Sequence, residues 1–136
     1  IPTGKTFADE VDTLRANWAK HDFFFIHYKP ADAAGEDGDF DRKVECLEEL
    51  DPFIPEILAL DPDVLMVAGD HATPAIMAAH SWHPVPFMLH SKLTIGQGVP
   101  TFDEKACALG AIGNIPATSV MVMGLSHAGK MTKFGP

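Results

Sequence analysis

The stretch VLMVAGDHATPAIMAAHSWHPVP, residues 64–86, decides which fold class and which kind of site this 136-residue sequence predicts. It begins with an apolar run typical of a buried strand, and the run ends abruptly in Asp70-His71. Further polar residues follow closely: His80, Ser81 and His83. Ligand sites in α/β sheets lie beyond the carboxyl ends of the strands, so an acid and a histidine at this position predict a functional site.

Helix-type and strand-type patterns alternate on either side of this stretch. Apolar residues recur every three or four positions in two segments predicted as helices, 7–20 and 40–50, and two short helices are predicted at 102–109 and 118–127. Pro52 predicts either a kink or a fresh helix that has Asp51 as its N-cap. Short apolar runs predict buried strands within 21–28, 61–69 and 84–91, with loops at 29–39 and 94–100 and a tail at 130–136. This alternation predicts one α/β segment over 1–136, with a mainly parallel sheet covered by helices on both faces.

The composition argues against two classes of partner. A net charge of −9 disfavours a nucleic-acid groove, because phosphate binding requires clustered Lys and Arg. The apolar runs are too short to span a bilayer, and we find no signal-peptide pattern. Cys46 and Cys107 lack metal-type spacing and predict reduced thiols in a cytoplasmic protein.

Two clusters of candidate ligands follow the first two predicted strands. The first contains Asp32, Glu36, Asp37 and Asp39, and the second contains Asp70, His71, His80 and His83. If the strands are parallel, carboxylate oxygens and imidazole nitrogens meet at one sheet edge, as a divalent Mn, Zn or Fe site requires. Acids in a Gly-rich loop are also ordinary turn formers, and Asp39 suits the N-cap of the following helix.

Four segments carry a more specific pattern: FFFIHYKPADAAGEDGDFDRKVECLEELD at 23–51, DVLMVAGDHATP at 63–74, HSWHPVPFML at 80–89, and FDEKACALGAIGNIPATSVMVMGLSHAGKMTKFGP at 102–136. Together they resemble the C-terminal part of the cofactor-independent phosphoglycerate mutases of the archaeal-type branch, within the alkaline phosphatase superfamily. The resemblance implies an alkaline phosphatase-like fold. It also implies interconversion of 3-phosphoglycerate and 2-phosphoglycerate through a phospho-enzyme, and hence a small phosphorylated metabolite as substrate.

The resemblance further implies two adjacent divalent metals, commonly manganese, with zinc, cobalt or magnesium as alternatives. Asp70 and His71 match ligands of one metal, and Asp32 and His80 match ligands of the other. Glu36 stands where the family has a histidine ligand of this second metal. A carboxylate suits a harder cation, so the change either alters the metal preference or damages the site. His83 replaces an aspartate frequent in this branch and is a candidate auxiliary ligand.

The family's nucleophile, a serine or threonine, has no counterpart here, and neither does the N-terminal aspartate that completes the Asp70/His71 metal. We therefore expect this chain to be a piece of the enzyme. Expressed alone, it should show no mutase turnover. Observed turnover would require a nucleophile among Thr73, Ser81 and Ser91. Two other functions are open: a metal-dependent phosphatase or phosphodiesterase of the same superfamily, and a non-catalytic metal-binding domain.

Overall fold

The structure, a computed structural model, describes residues 1, 3–95 and 98–132. Gly96 and Gln97 of the predicted loop and residues 133–136 of the predicted tail lie outside the described residues. The chain divides into two compact units. Unit 1 comprises Ile1–Asp61 and Thr73–Ser81, and unit 2 comprises Pro62–Ala72 and the described residues from Trp82 onward. Within the described ranges, no helix is both long and apolar enough to cross a membrane.

Unit 1 is helical in its described part. Its helices are α1 (Phe7–Asn17), α2 (Pro30–Glu36), α3 (Phe40–Leu50) and α4 (Phe53–Leu58), with 3-10 turns at Trp18–Lys20 and Ala75–Met77. The helices predicted over 7–20 and 40–50 are confirmed. The fresh helix after Pro52 is also confirmed, although Asp51 closes α3 and Pro52 itself takes the N-cap position of α4.

The segment 29–39, predicted as a loop, instead forms helix α2. Pro30 occupies the first turn of this helix, where its fixed φ is already helical and its missing N–H costs nothing. Gly38 then adopts a φ of +73°, which separates α2 from α3. Asp39 is the N-cap of α3, as predicted, since its carboxylate accepts a 2.9 Å hydrogen bond from the Arg42 N–H.

The interior of unit 1 is small and partly aromatic. The buried apolar residues are Val11, Leu14, Ala34, Cys46 and Ile57. The ring of Phe7 lies edge-on against both Tyr28 and Phe53, at 5.3 Å in each case. The Tyr28 hydroxyl donates to the carbonyl oxygen of Cys46 at 3.0 Å, and burial raises the pKa of Tyr28. These contacts join α1, α3 and α4 to the segment that precedes α2.

That segment was predicted to be a buried strand, but it forms no ladder among the described residues. Its side chains alternate as a strand's do: Phe24, Ile26 and Tyr28 are half-buried. The intervening Phe23 and Phe25 are 55% and 82% exposed. The prediction of burial on both faces is therefore wrong here, because an extended segment is covered on both faces only inside a larger sheet.

Unit 2 contains the strands β1 (Val64–Ala68) and β2 (Phe87–Ser91), which pair antiparallel with Val64 opposite Ser91. The parallel arrangement expected of these two strands is therefore wrong. Parallel strands are usually joined by a crossover helix, and the connection between β1 and β2 forms only the 3-10 turn at Ala75–Met77. The combination of helices with a sheet, an α/β chain, is confirmed.

In the described part of unit 2 after β2, the chain forms helices α5 (Glu104–Ala108) and α6 (Val120–His127), the latter preceded by a 3-10 turn at Ala117–Ser119. Both lie within segments predicted to be helical. Gly124 of α6 faces Met66 of β1 so closely that a Cβ there would lie 2.8 Å from the Met66 methyl carbon. Ser91, at the end of β2, is buried. Its hydroxyl oxygen lies 2.7 Å from Nδ1 of His127, the last residue of α6. These two contacts fasten α6 to the sheet.

The start of α1 gives a test of local stability. The Thr6 hydroxyl accepts from the Asp9 N–H at 3.2 Å, and the Asp9 carboxylate accepts from the Thr6 N–H at 2.9 Å. Several hydrogen bonds lower the pKa of Asp9, and the bond from the Thr6 backbone N–H has the largest effect. We expect Thr6→Ala to lower the free energy of unfolding by about 1 kcal/mol, as measured by urea denaturation. Thr3→Ala, at an exposed position before the helix, is the control. An equal loss of unfolding free energy in both variants would contradict the capping role of Thr6.

Candidate metal centre

Helix α2 carries two of the predicted ligands on one face. Asp32 and Glu36 are four residues apart, a spacing that places their side chains one above the other on a helix. The third ligand, His80, lies in the segment Thr73–Ser81, which packs against α2 and α3 through its 3-10 turn. All three residues belong to unit 1.

The side chains of these three residues converge on one imidazole nitrogen. His80 Nε2 lies 3.2 Å from Glu36 Oε1 and 3.7 Å from Asp32 Oδ1. Asp32 is the least exposed, with 18% of its side chain accessible, whereas His80 and Glu36 are about half exposed. The arrangement therefore has one enclosed ligand and two that face solvent, so an ion can enter from that side.

The convergence fits a divalent cation. In octahedral coordination with bonds of 2.0–2.1 Å, neighbouring donor atoms lie about 3 Å apart. The distances of Glu36 Oε1 and Asp32 Oδ1 from His80 Nε2 are close to this spacing, so each carboxylate lies near enough to share an ion with His80. Two carboxylates and one imidazole form an oxygen-rich donor set, which suits Mn²⁺ and Mg²⁺ better than a thiolate set does.

The carboxylate of Asp32 is held on both oxygens. Its Oδ2 accepts from the ammonium group of Lys29 at 2.7 Å, and its Oδ1 accepts from the hydroxyl of Thr73, also at 2.7 Å. Lys29 is 64% exposed, so this ion pair is screened by solvent and contributes little to stability. Thr73 is 4% exposed. Of these two contacts, the hydrogen bond from the buried Thr73 hydroxyl is the better shielded from solvent.

Asp70 and His71 lie in unit 2, directly after β1, as the sequence predicts. Asp70 Oδ1 accepts from the His71 N–H at 3.0 Å, and Asp70 Oδ2 lies 3.5 Å from His71 Nε2. Asp70 is 73% exposed and His71 is 32% exposed. His83, the candidate auxiliary ligand, is exposed and stacks on Trp82 at 5.0 Å. That all these residues share one site with Asp32 and His80 stays a prediction.

Sequence reasoning did not assign three residues around Asp32 to this centre. Thr73 was considered only as a nucleophile, whereas its hydroxyl is buried and donates to Asp32. Lys43 of α3 donates from Nζ to the carbonyl oxygen of Thr73. Gly35 of α2 faces the same carbonyl, and a Cβ there would overlap it. A glycine inside a helix usually has a packing reason, but residues 29–39 were predicted as a loop, where a glycine is ordinary.

Comparison with known proteins places this chain in a family of metalloenzymes. Residues 2–127 match the Metalloenzyme superfamily, and the chain belongs to that family. It is 50% identical over 135 residues to a probable 2,3-bisphosphoglycerate-independent phosphoglycerate mutase of Thermotoga petrophila, covering 99% of this chain and 34% of the relative. A Thermus thermophilus protein of the same name is 44% identical over 132 residues, which are 97% of this chain and 32% of that protein.

A solved structure shows the same fold. The PH0037 protein from Pyrococcus horikoshii superposes with a TM-score of 0.88 at 28% identity, covering 94% of this chain and 40% of that one. The resemblance to phosphoglycerate mutases drawn from the sequence motifs is thus confirmed. The chain spans about a third of the length of the curated relatives described above.

Proposed function

We propose that this chain supplies the metal-binding third of a 2,3-bisphosphoglycerate-independent phosphoglycerate mutase, which interconverts 3-phosphoglycerate and 2-phosphoglycerate. The observation that carries the proposal is the convergence of Asp32 and Glu36 on Nε2 of His80. The names of relatives at 44–50% identity support the same activity. Cys46 and Cys107 are free thiols, as in a cytoplasmic protein, and a small phosphorylated metabolite would be available to the enzyme in that compartment.

In this proposal Asp32, Glu36 and His80 hold one divalent metal, and Asp70 and His71 supply ligands to a second. Manganese is the expected ion, with magnesium, cobalt or zinc as alternatives. Such ions polarise a phosphoryl oxygen and make a bound hydroxyl a better nucleophile. Asp32 contributes the fixed ligand, because its two oxygens are already held by Thr73 and Lys29. Glu36 and His80, about half exposed, adjust around it.

The exposed apolar surface of unit 1 supports a larger protein around this centre. On one face of α3, Phe40, Val44 and Leu47 are 67%, 38% and 52% exposed. An amphipathic helix normally buries such a face. We propose that this face packs against protein that the relatives have outside the matched third, within an alkaline phosphatase-like domain. The extended segment with Phe23 and Phe25 would then join the mainly parallel sheet expected from the sequence.

Metal binding gives the first test. Ligands that converge only in the folded chain stabilise it by mass action, by about 2.7 kcal/mol when free Mn²⁺ is a hundred times Kd. We expect Mn²⁺ to raise the melting temperature of the wild-type chain, and His80→Ala and His71→Ala each to reduce this increase. His90→Ala, at an exposed position on β2, is the control. If His80→Ala responds to Mn²⁺ as strongly as His90→Ala does, His80 is not a ligand.

The identity of residue 36 tests the metal preference. A carboxylate at this position favours harder cations, and an imidazole favours zinc. Glu36→His should therefore increase the affinity for Zn²⁺ relative to Mn²⁺, as measured by competition calorimetry. Glu48→His adds a histidine at an exposed position of α3 and controls for non-specific zinc binding. An unchanged Zn²⁺/Mn²⁺ ratio in Glu36→His would remove residue 36 from the centre.

The activity is tested in a chimera that replaces the matched third of the Thermotoga petrophila relative with this chain. We expect a folded chimera with Mn²⁺ to convert 3-phosphoglycerate to 2-phosphoglycerate, a reaction that is measured by coupling to enolase. We expect Asp32→Asn in the chimera to reduce this rate at least about tenfold. Free phosphate is measured in parallel. Phosphate release without isomerisation would show a hydrolase instead. A chimera that folds and binds Mn²⁺ but does neither would overturn the proposed activity, provided that the parent protein is active.

A further inference from the structure

We infer that Thr73 is a positioning residue, which fixes the carboxylate of Asp32 in the orientation that the metal requires. The inference rests on the proposed function, because it concerns the same centre. It assigns to Thr73 no contact with metal or substrate. Contacts run from α3 through Thr73 to the ligand on α2.

The hydroxyl of Thr73 can hold Asp32 without displacing a metal. It donates to Oδ1, the oxygen that also lies 3.7 Å from His80 Nε2. A carboxylate oxygen has two lone pairs, so Oδ1 can accept from Thr73 and still coordinate an ion. Because Thr73 is β-branched and almost fully buried, its side chain has little freedom about χ1, which fixes the position of the hydroxyl oxygen. The ligand is therefore oriented before the metal arrives.

Thr73 is itself held from two sides. Its carbonyl oxygen accepts a hydrogen bond from Lys43 Nζ, which reaches it from α3. On the α2 side, Gly35 leaves room for the same carbonyl, and a Cβ there would also lie 2.9 Å from Lys43 Nζ. Glycine inside a helix costs about 1 kcal/mol relative to alanine, so its presence here is explained by this close approach. The position of Thr73 thus depends on both helices.

Residues that orient a metal ligand through a hydrogen bond typically contribute about tenfold to a hundredfold in metal affinity. Thr73→Val removes the hydroxyl and keeps the shape, whereas Thr73→Ser keeps the hydroxyl. We expect Thr73→Val to weaken Mn²⁺ binding by about that factor and Thr73→Ser to restore most of it. The measurements are free Mn²⁺ by electron paramagnetic resonance, the line shape of bound Mn²⁺, and the melting temperature in chelator.

Thr13→Val is the matched control, since the Thr13 hydroxyl donates to the backbone carbonyl of Asp9 and not to a ligand. Equal Mn²⁺ affinity in Thr73→Val and Thr13→Val would overturn the positioning role while leaving the centre intact. Equal weakening in Thr73→Val and Thr73→Ser, with matching losses of metal-free melting temperature, would reduce Thr73 to a packing residue. A wild-type chain that binds no Mn²⁺ overturns the proposed centre, and this inference with it.

Discussion

The close approach of residue 73 to helix α2 is the constraint on which the arrangement of α2, α3 and the segment Thr73–Ser81 depends. It requires glycine at position 35, because any larger residue would meet the Thr73 carbonyl. Once the approach is made, the Thr73 hydroxyl reaches Asp32 and its carbonyl reaches Lys43. The same segment then continues to His80, which it delivers opposite Asp32 and Glu36. One steric condition therefore links the packing of α2 and α3 to the geometry of the ligands.

The electrostatics of the centre favour a cation for a simple reason. Asp32 and Glu36 lie one helical turn apart, and like charges at this spacing repel each other. Lys29 offsets the charge of Asp32, but it is mostly exposed and its effect is screened. In a chain with a net charge of −9, no excess of basic residues compensates the pair. A divalent cation bound between the two carboxylates removes this repulsion.

Sequence patterns predicted what depends on local physics. The apolar spacing of α1 and the capping role of Asp39 are confirmed, because each involves residues within a few positions of one another. The pairing of Asp32 with His80 came from the motif resemblance and could not come from periodicity. Thr73 and Lys43 were not assigned, since their contacts exist only after distant segments meet. The antiparallel pairing of β1 and β2 was missed for the same reason: strand direction is set by the connection, and not by strand composition.

Helix α3 connects the centre to the exposed apolar surface. One of its faces carries Lys43, which holds Thr73, and the buried Cys46, which accepts from Tyr28 through its carbonyl oxygen. The neighbouring face carries the exposed Phe40 and Leu47. A helix is fixed by the contacts on all its faces, so whatever covers the apolar face also fixes Lys43. In the proposed enzyme, the protein packed on that face would therefore help to set the orientation of Asp32 without approaching the metal.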